Sequence, residues 1–472
     1  RRDAHRGFCF NSKVSESLAL DRTQRDVRSQ ACRAKHASYP PDLPSATVIF
    51  VFHNENLAVL LRSVHSVLNR SPPRLLAQVI LVDDASTPDP QRFYKRHWSK
   101  LQKELTEYCR HLPKVVLVRM KERRGLMLAR MEGAWRATGD VLIFLDSHIE
   151  VTPGWIEPLL ARIKENRTRV LVPKIASIGN EDFVFRRDGG LGAVSFTWAL
   201  GQKPIHPDLG HDGTGPARSP IMPGGLFASD RRWFFHLGGY DNEMRLYGGE
   251  EMEIGFRTWM CGGSIEHVPC SIIGHVFRTP DYWQGQVYEV PGAEILRNKK
   301  RAAAVWMDGY RRFVDYAAGP LPQGMTLGDL EPRKALRQKL KCRDFRWYLK
   351  NVAADVTVPK VPKSGQHGAL RLNRARDCVD TLGKAADGAE IGMFPCHGQL
   401  GAQGFAMDGE GLLLIPVLDY KKCVGVVGSN VVVRSCARDV SSLQWSWDTF
   451  LGRLLHRKSG NCLQAKDSGK LR

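Results

Sequence analysis

The chain has 472 residues, 43% hydrophobic and 25% charged, with a formal net charge of +20 at pH 7. That length calls for at least two domains with sizeable cores, and no run of about 18 apolar residues is present to cross a bilayer. The basic residues are scattered, without zinc-finger spacing or an RNA-binding aromatic signature. The pattern argues against nucleic acid and for a surface suited to a nucleotide diphosphate and acidic partners.

In chain order, residues 1–44 open on Arg1-Arg2 with no initiator methionine. They read as a stem in the excised soluble part of a longer protein, so membrane attachment is expected only through an N-terminal anchor outside this chain. Residues 45–350 then alternate strand-like and helix-like patterns. An apolar run at 46–52 predicts a buried strand, 57–68 an amphipathic helix ended by Ser71-Pro72-Pro73, and 78–82 a second strand running into Asp83-Asp84. A third strand is expected at 115–119, a helix at 126–138, and a fourth strand at 141–145 running into Asp146. This rhythm predicts an α/β fold with a mainly parallel sheet, whose ligands bind beyond the carboxyl ends of the strands. Asp83, Asp84 and Asp146 stand at those ends.

Residues 351–368 are rich in Pro, Val, Lys and Gly and read as a linker. From 369 to 472 the chain changes to short strands, glycines and a cysteine motif recurring about every 40 residues, at Cys378, Cys423 and Cys462. Three such repeats predict a β-trefoil, its third repeat incomplete at Arg472. The eleven cysteines contain no close CxxC pair, and with sequons at Asn69 and Asn166 they point to an oxidising lumen rather than a zinc site.

The strongest chemical signal is Phe144-Leu145-Asp146-Ser147-His148, an apolar strand ending in a carboxylate with an imidazole two residues on. Such a pair can grip a divalent cation and leave positions open for diphosphate oxygens. His275, in Gly274-His275-Val276-Phe277-Arg278, is the candidate third ligand.

These motifs occur in order with Gly-Gly-Leu-Phe at 224–227, Gly-Gly-Glu at 248–250, Trp-Met-Cys-Gly-Gly at 259–263 and Val-Trp-Met-Asp at 305–308. Phe-His-Asn-Glu at 52–55 and Phe-Arg-Trp-Tyr-Leu at 345–349 extend the set. Over nearly its whole length the chain resembles the polypeptide N-acetylgalactosaminyltransferases. The resemblance implies a GT-A-type nucleotide-sugar fold followed by a ricin-type β-trefoil lectin domain, Golgi residence as a type II membrane protein, and retaining transfer of N-acetylgalactosamine from UDP-GalNAc to Ser or Thr of protein or glycopeptide acceptors. It implies Mn2+ held by Asp146, His148 and His275. Donor contacts fall on Val51, Asp84, Arg123, Asp146, Ser147, Tyr247, Arg278 and Tyr282, and Glu250 matches the acid beside the reacting sugar. In the lectin domain Asp380 and His397 match sugar-binding positions. The implied disulfides are Cys32–Cys270, Cys261–Cys342, Cys378–Cys396 and Cys423–Cys436, with Cys9, Cys109 and Cys462 left over.

The chain departs from the family pattern at several points. Tyr247 replaces a usual Trp, Glu251 a usual Asn, Arg124 a usual Glu and Pro223 a usual Ala. The acceptor-groove segment reads Gly189-Gly190-Leu191-Gly192-Ala193, without the family's Phe and Trp, which should weaken peptide binding. In the trefoil an expected Asn is Ala402, and Gln464 stands where an Asp is needed. Two other readings therefore stand beside the active enzyme: a weak or inactive relative in a regulatory role, and a lectin module on a catalytic scaffold.

Overall fold

The computed structural model describes residues 7–88, 98–278, 290–361, 366–371, 376–398, 400–465 and 471. The chain divides into two compact units. One comprises Arg1–Ser195, Gln202–Trp306 and Gly328–Ala353; the other comprises Phe196–Gly201, Met307–Leu327 and Ala354–Arg472.

The first unit is built on a sheet that opens as the sequence pattern predicts. Strand β1 (Ala46–Phe52) is apolar except at Thr47 and pairs in parallel with β2 (Leu76–Asp83) and β4 (Val141–Asp146). β3 (Val115–Arg119) adds to β2, also in parallel. Helix α1 (Leu57–Arg70) crosses from β1 to β2; the Asn56 side chain caps its first turn by accepting from Val59 N. Helix α2 (Leu126–Arg136) leads into β4. Parallel strands joined by crossovers leave their carboxyl ends on one edge, and the register sets Val51 opposite both Val82 and Asp146.

Beyond β4 the sheet becomes mixed. The chain continues through β5 (Ile149–Val151), helix α3 (Glu157–Glu165), β6 (Arg169–Ile178), β7 (Phe185–Leu191), β8 (Ala217–Arg218) and β9 (Phe227–Asp230). Helix α4 (Glu250–Met260) and the long strand β10 (Ser264–Val276) follow. The order is β8-β10-β6-β9-β4-β1-β2-β3, with β5 on β10 and β7 on β6. β9 enters antiparallel between β4 and β6. β10 runs parallel to β6 and antiparallel to β5, pairing His275 with Ile149. That last pairing returns a residue from far downstream to the end of β4.

Val48, Phe50, Ile143, Leu145 and Ile273 of the sheet pack with Leu60 and Val64 of α1 and Leu159 and Ile163 of α3 in one core. Two disulfides of this unit, Cys32–Cys270 and Cys261–Cys342, close separations of 238 and 81 residues. With Cys378–Cys396 and Cys423–Cys436 these are the four pairs that the resemblance implies; Cys9, Cys109 and Cys462 are free thiols.

In the second unit short strands surround a core of Val379, Phe405, Ile415, Val424, Val433 and Trp445. This unit also takes in stretches from within residues 45–350. Trp198 is buried against Phe313, and its indole donates to Thr357 O at 2.9 Å. The Tyr420 hydroxyl donates to Phe313 O at 3.0 Å.

Candidate functional site

The carboxyl end of β4 delivers Asp146, Ser147 and His148, and the end of β10 delivers His275. One ligand atom from each of Asp146, His148 and His275 lies within 4.8 Å of the other two. His275 Nε2 is 3.2 Å from Asp146 Oδ2, and the two imidazole rings are 4.8 Å apart, centre to centre. Bonds of about 2.1 Å at right angles place neighbouring ligand atoms about 3 Å apart, so the Asp146–His275 spacing fits two positions on one divalent ion. A carboxylate oxygen and two imidazole nitrogens suit a divalent transition ion, Mn2+ among them, and leave further positions open.

Electrostatics favour the binding form of Asp146 and of His148. Burial works to raise the Asp146 pKa, but the His275 hydrogen bond and the Arg130 guanidinium hold the carboxyl below the usual carboxylate range. Burial, with the Arg278 charge, lowers the His148 pKa against the pull of Glu55, so the imidazole stays neutral as a ligand must.

Two buried residues that the sequence reading gave no role frame the centre. Arg130, on α2, is 1% exposed; it donates to Tyr240 Oη at 3.0 Å, to Asp146 Oδ1 at 3.3 Å and to Gly225 O at 2.7 Å. It thereby fixes the unligated side of Asp146. Glu55, 3% exposed, follows β1 and accepts from Ser147 Oγ at 2.7 Å, His148 Nδ1 at 3.0 Å and Arg278 Nη2. Burial alone would raise its pKa; Arg278, His148 and Ser147 bring it down to about 2.

Of the expected donor contacts, Val51 lies on β1 in register with Asp146, and the buried Ser147 donates its hydroxyl to Glu55. Arg278 joins through Glu55, its Nη2 also 3.1 Å from His148 Nδ1. The Asp84 carboxylate accepts from the backbone N–H groups of Arg124 and Gly125 at 2.7 and 2.8 Å. It therefore shapes the Arg123–Gly125 turn, and burial raises its pKa against these bonds. Tyr282 lies outside the described residues. Tyr247 is 44% exposed just before Gly248-Gly249, both of which have positive φ and turn the chain into α4. Glu250 opens α4, is 2% exposed, and has an Oε2 with no hydrogen-bond partner among the described residues. Burial, then the adjacent Glu251, pushes its pKa well above the carboxylate range, with Arg130 pulling the other way.

In the trefoil Asp380 is buried, accepting from Leu382 N at 2.6 Å and Gln403 Nε2 at 3.0 Å. The exposed His397 donates its backbone N–H to Gln403 Oε1 at 3.2 Å.

The chain is similar to known proteins in sequence and in fold. Residues 47–234 match the model of glycosyl transferase family 2, residues 215–281 that of the N-terminal domain of galactosyltransferase, and residues 366–472 that of the ricin-type beta-trefoil lectin domain. Human polypeptide N-acetylgalactosaminyltransferase 13 is 41% identical over 408 residues, spanning 84% of this chain and 69% of its own. The probable N-acetylgalactosaminyltransferase 7 of Caenorhabditis elegans is 36% identical over 481 residues, 99% of this chain and 76% of its own. The crystal structure of GalNAc-T7 with UDP, GalNAc and Mn2+ aligns with a TM-score of 0.82 at 32% identity, covering all of this chain and 86% of that one.

Proposed function

We propose, for a chain that belongs to the polypeptide N-acetylgalactosaminyltransferase family, that it transfers N-acetylgalactosamine from UDP-GalNAc to Ser or Thr hydroxyls of proteins, with Mn2+, in the Golgi lumen. The observation that carries this reading is the convergence of Asp146, His148 and His275 within 4.8 Å, although His275 is 129 residues from Asp146.

Mn2+, when bound there, supplies the Lewis acid that neutralises the leaving diphosphate. Asp146 and the histidines would hold it, and Arg278 would pair with a phosphate oxygen through a charge-assisted hydrogen bond. Val51, at the strand end, offers backbone polar groups to the base, and Asp84 keeps the Arg123–Gly125 turn in shape beside it. Glu250, whose pKa burial and Glu251 raise, is the group placed to donate a hydrogen bond toward sugar or acceptor. By resemblance to the family, retention proceeds by front-face attack, in which the leaving phosphate takes the acceptor's proton, rather than by double displacement through a glycosyl-enzyme.

The test is incubation with UDP-GalNAc, Mn2+ and a mucin-like Ser/Thr peptide, followed by mass spectrometry. Addition of one N-acetylhexosamine, abolished by EDTA and restored by Mn2+, is expected. Donor hydrolysis without transfer would instead assign the chain to donor binding with a disabled acceptor groove.

A further inference from the structure

Glu55 is absent from every ligand and donor position expected above, yet it is among the most committed side chains at the centre. Oε2 takes three donors: Ser147 Oγ at 2.7 Å, His148 Nδ1 at 3.0 Å and Arg278 Nη2. Oε1 accepts from Asn56 N at 3.0 Å. Both oxygens are engaged, the side chain is 3% exposed, and Glu55 touches the cluster of Asp146, His148 and His275 through His148 without being one of its three members.

The turn that places it is built for the purpose. Asn54 adopts φ +52, a left-handed conformation that asparagine tolerates better than most residues. Its amide donates to Ser86 Oγ at 2.9 Å, and its Oδ1 accepts from Thr87 N at 3.0 Å. Asn56 immediately caps α1. Glu55 is therefore clamped between a fixed turn and a helix start, and cannot swing away from His148.

Arg278 Nη2, which only donates, also lies 3.1 Å from His148 Nδ1 but is closer to Glu55 Oε2. A carboxylate only accepts, so the Glu55 contact places the proton on Nδ1 and leaves the Nε2 lone pair for a cation. The same oxygen restrains Arg278, whose guanidinium also lies over the Phe10 ring at 5.7 Å. We propose that Glu55 is the positioning residue of the metal and diphosphate site, fixing the His148 tautomer and pre-setting Arg278 through one shared oxygen. This rests on the donor-binding reading above, and it assigns Glu55 no contact with substrate.

Mn2+ affinity, read from the electron paramagnetic resonance signal of free Mn2+, and UDP affinity with and without Mn2+ would be compared for wild type, Glu55→Gln and Glu55→Asp. Loss of an outer carboxylate behind a metal-bound histidine costs about 10- to 100-fold in metal affinity. Glu55→Gln, with one acceptor and no charge, is expected to weaken Mn2+ by that factor and to weaken UDP with Mn2+ present. Glu55→Asp is expected to recover part of both. Wild-type constants in Glu55→Gln overturn the proposal while leaving the donor reading intact; a wild type that binds neither Mn2+ nor UDP overturns both. Should the variants fail to fold, 15N NMR of histidine-labelled, metal-free wild type decides. His148, assigned by its loss in His148→Asn, is expected with the proton on Nδ1, and a proton on Nε2 overturns the proposal.

Discussion

Replacing Gly225 by Ala puts the smallest side chain where the metal site has no room. A Cβ built on Gly225 lies 2.5 Å from Asp146 Oδ1 and 2.5 Å from Arg130 Nη2. Ordinary contact between such atoms begins near about 3.5 Å, so something must retreat by about 1 Å. Arg130 is 1% exposed and pinned by Tyr240 Oη and Gly225 O, so Asp146, with its open side, is the group that moves. A misplacement of about 1 Å in a reacting constellation costs about 100-fold, equivalent to about 2.7 kcal/mol of transition-state stabilisation. Gly225→Ala is therefore expected to lower kcat/KM for UDP-GalNAc by about that factor and to weaken Mn2+, in steady-state assays across a Mn2+ titration. Gly224→Ala is the control: its φ of +97 carries backbone strain, but nothing lies within 4 Å of the added carbon. It should lower the melting temperature and leave Mn2+ affinity alone. Wild-type Mn2+ affinity and kcat/KM in Gly225→Ala would refute this placement of Asp146.

Two further outcomes follow from burial and connectivity. The Glu250 pKa is raised above its ordinary 4.5, so the folded state holds a proton that the unfolded chain releases. That contribution is complete below the unfolded pKa and is lost as pH rises through the folded one. Glu250→Gln, which cannot ionise, should gain at least about 1 kcal/mol over wild type between pH 5 and 8 in urea melts, while losing transfer. Cys342→Ser opens the bridge to Cys261, which spans 81 residues; chain entropy puts the loss at about 4.5 kcal/mol. Guanidinium unfolding of the variant should show it, and an unchanged midpoint would mean that the bridge does not constrain the unfolded chain.

The parallel half of the sheet was legible because buried strands announce themselves: residues 46–52 and 115–119 are strands to the residue. The second half was not. β9 and β10 are placed by pairings with β4, β5 and β6, and no local pattern encodes an antiparallel insertion. Asp146 and His148 could be read as a pair from one strand end, whereas His275 entered as a candidate and became specific only through the resemblance. Arg130 sits in a helix that reads as ordinary amphipathic sequence, and its partners Gly225 and Tyr240 lie 95 and 110 residues away. Glu55 was quoted within a family motif, but its chemistry depends on Ser147, His148 and Arg278, which are 92, 93 and 223 residues distant. A polar residue wedged between a buried strand and a helix cap is the one local signal that could have flagged it.

The most direct measurement is isothermal titration of UDP into the wild-type chain and His275→Ala, each with Mn2+ and with EDTA. The account expects Mn2+-dependent UDP binding in wild type, and its loss in a His275→Ala protein that still melts cooperatively. UDP binding that is indifferent to Mn2+, or unchanged in His275→Ala, would contradict a metal centre shared by Asp146, His148 and His275.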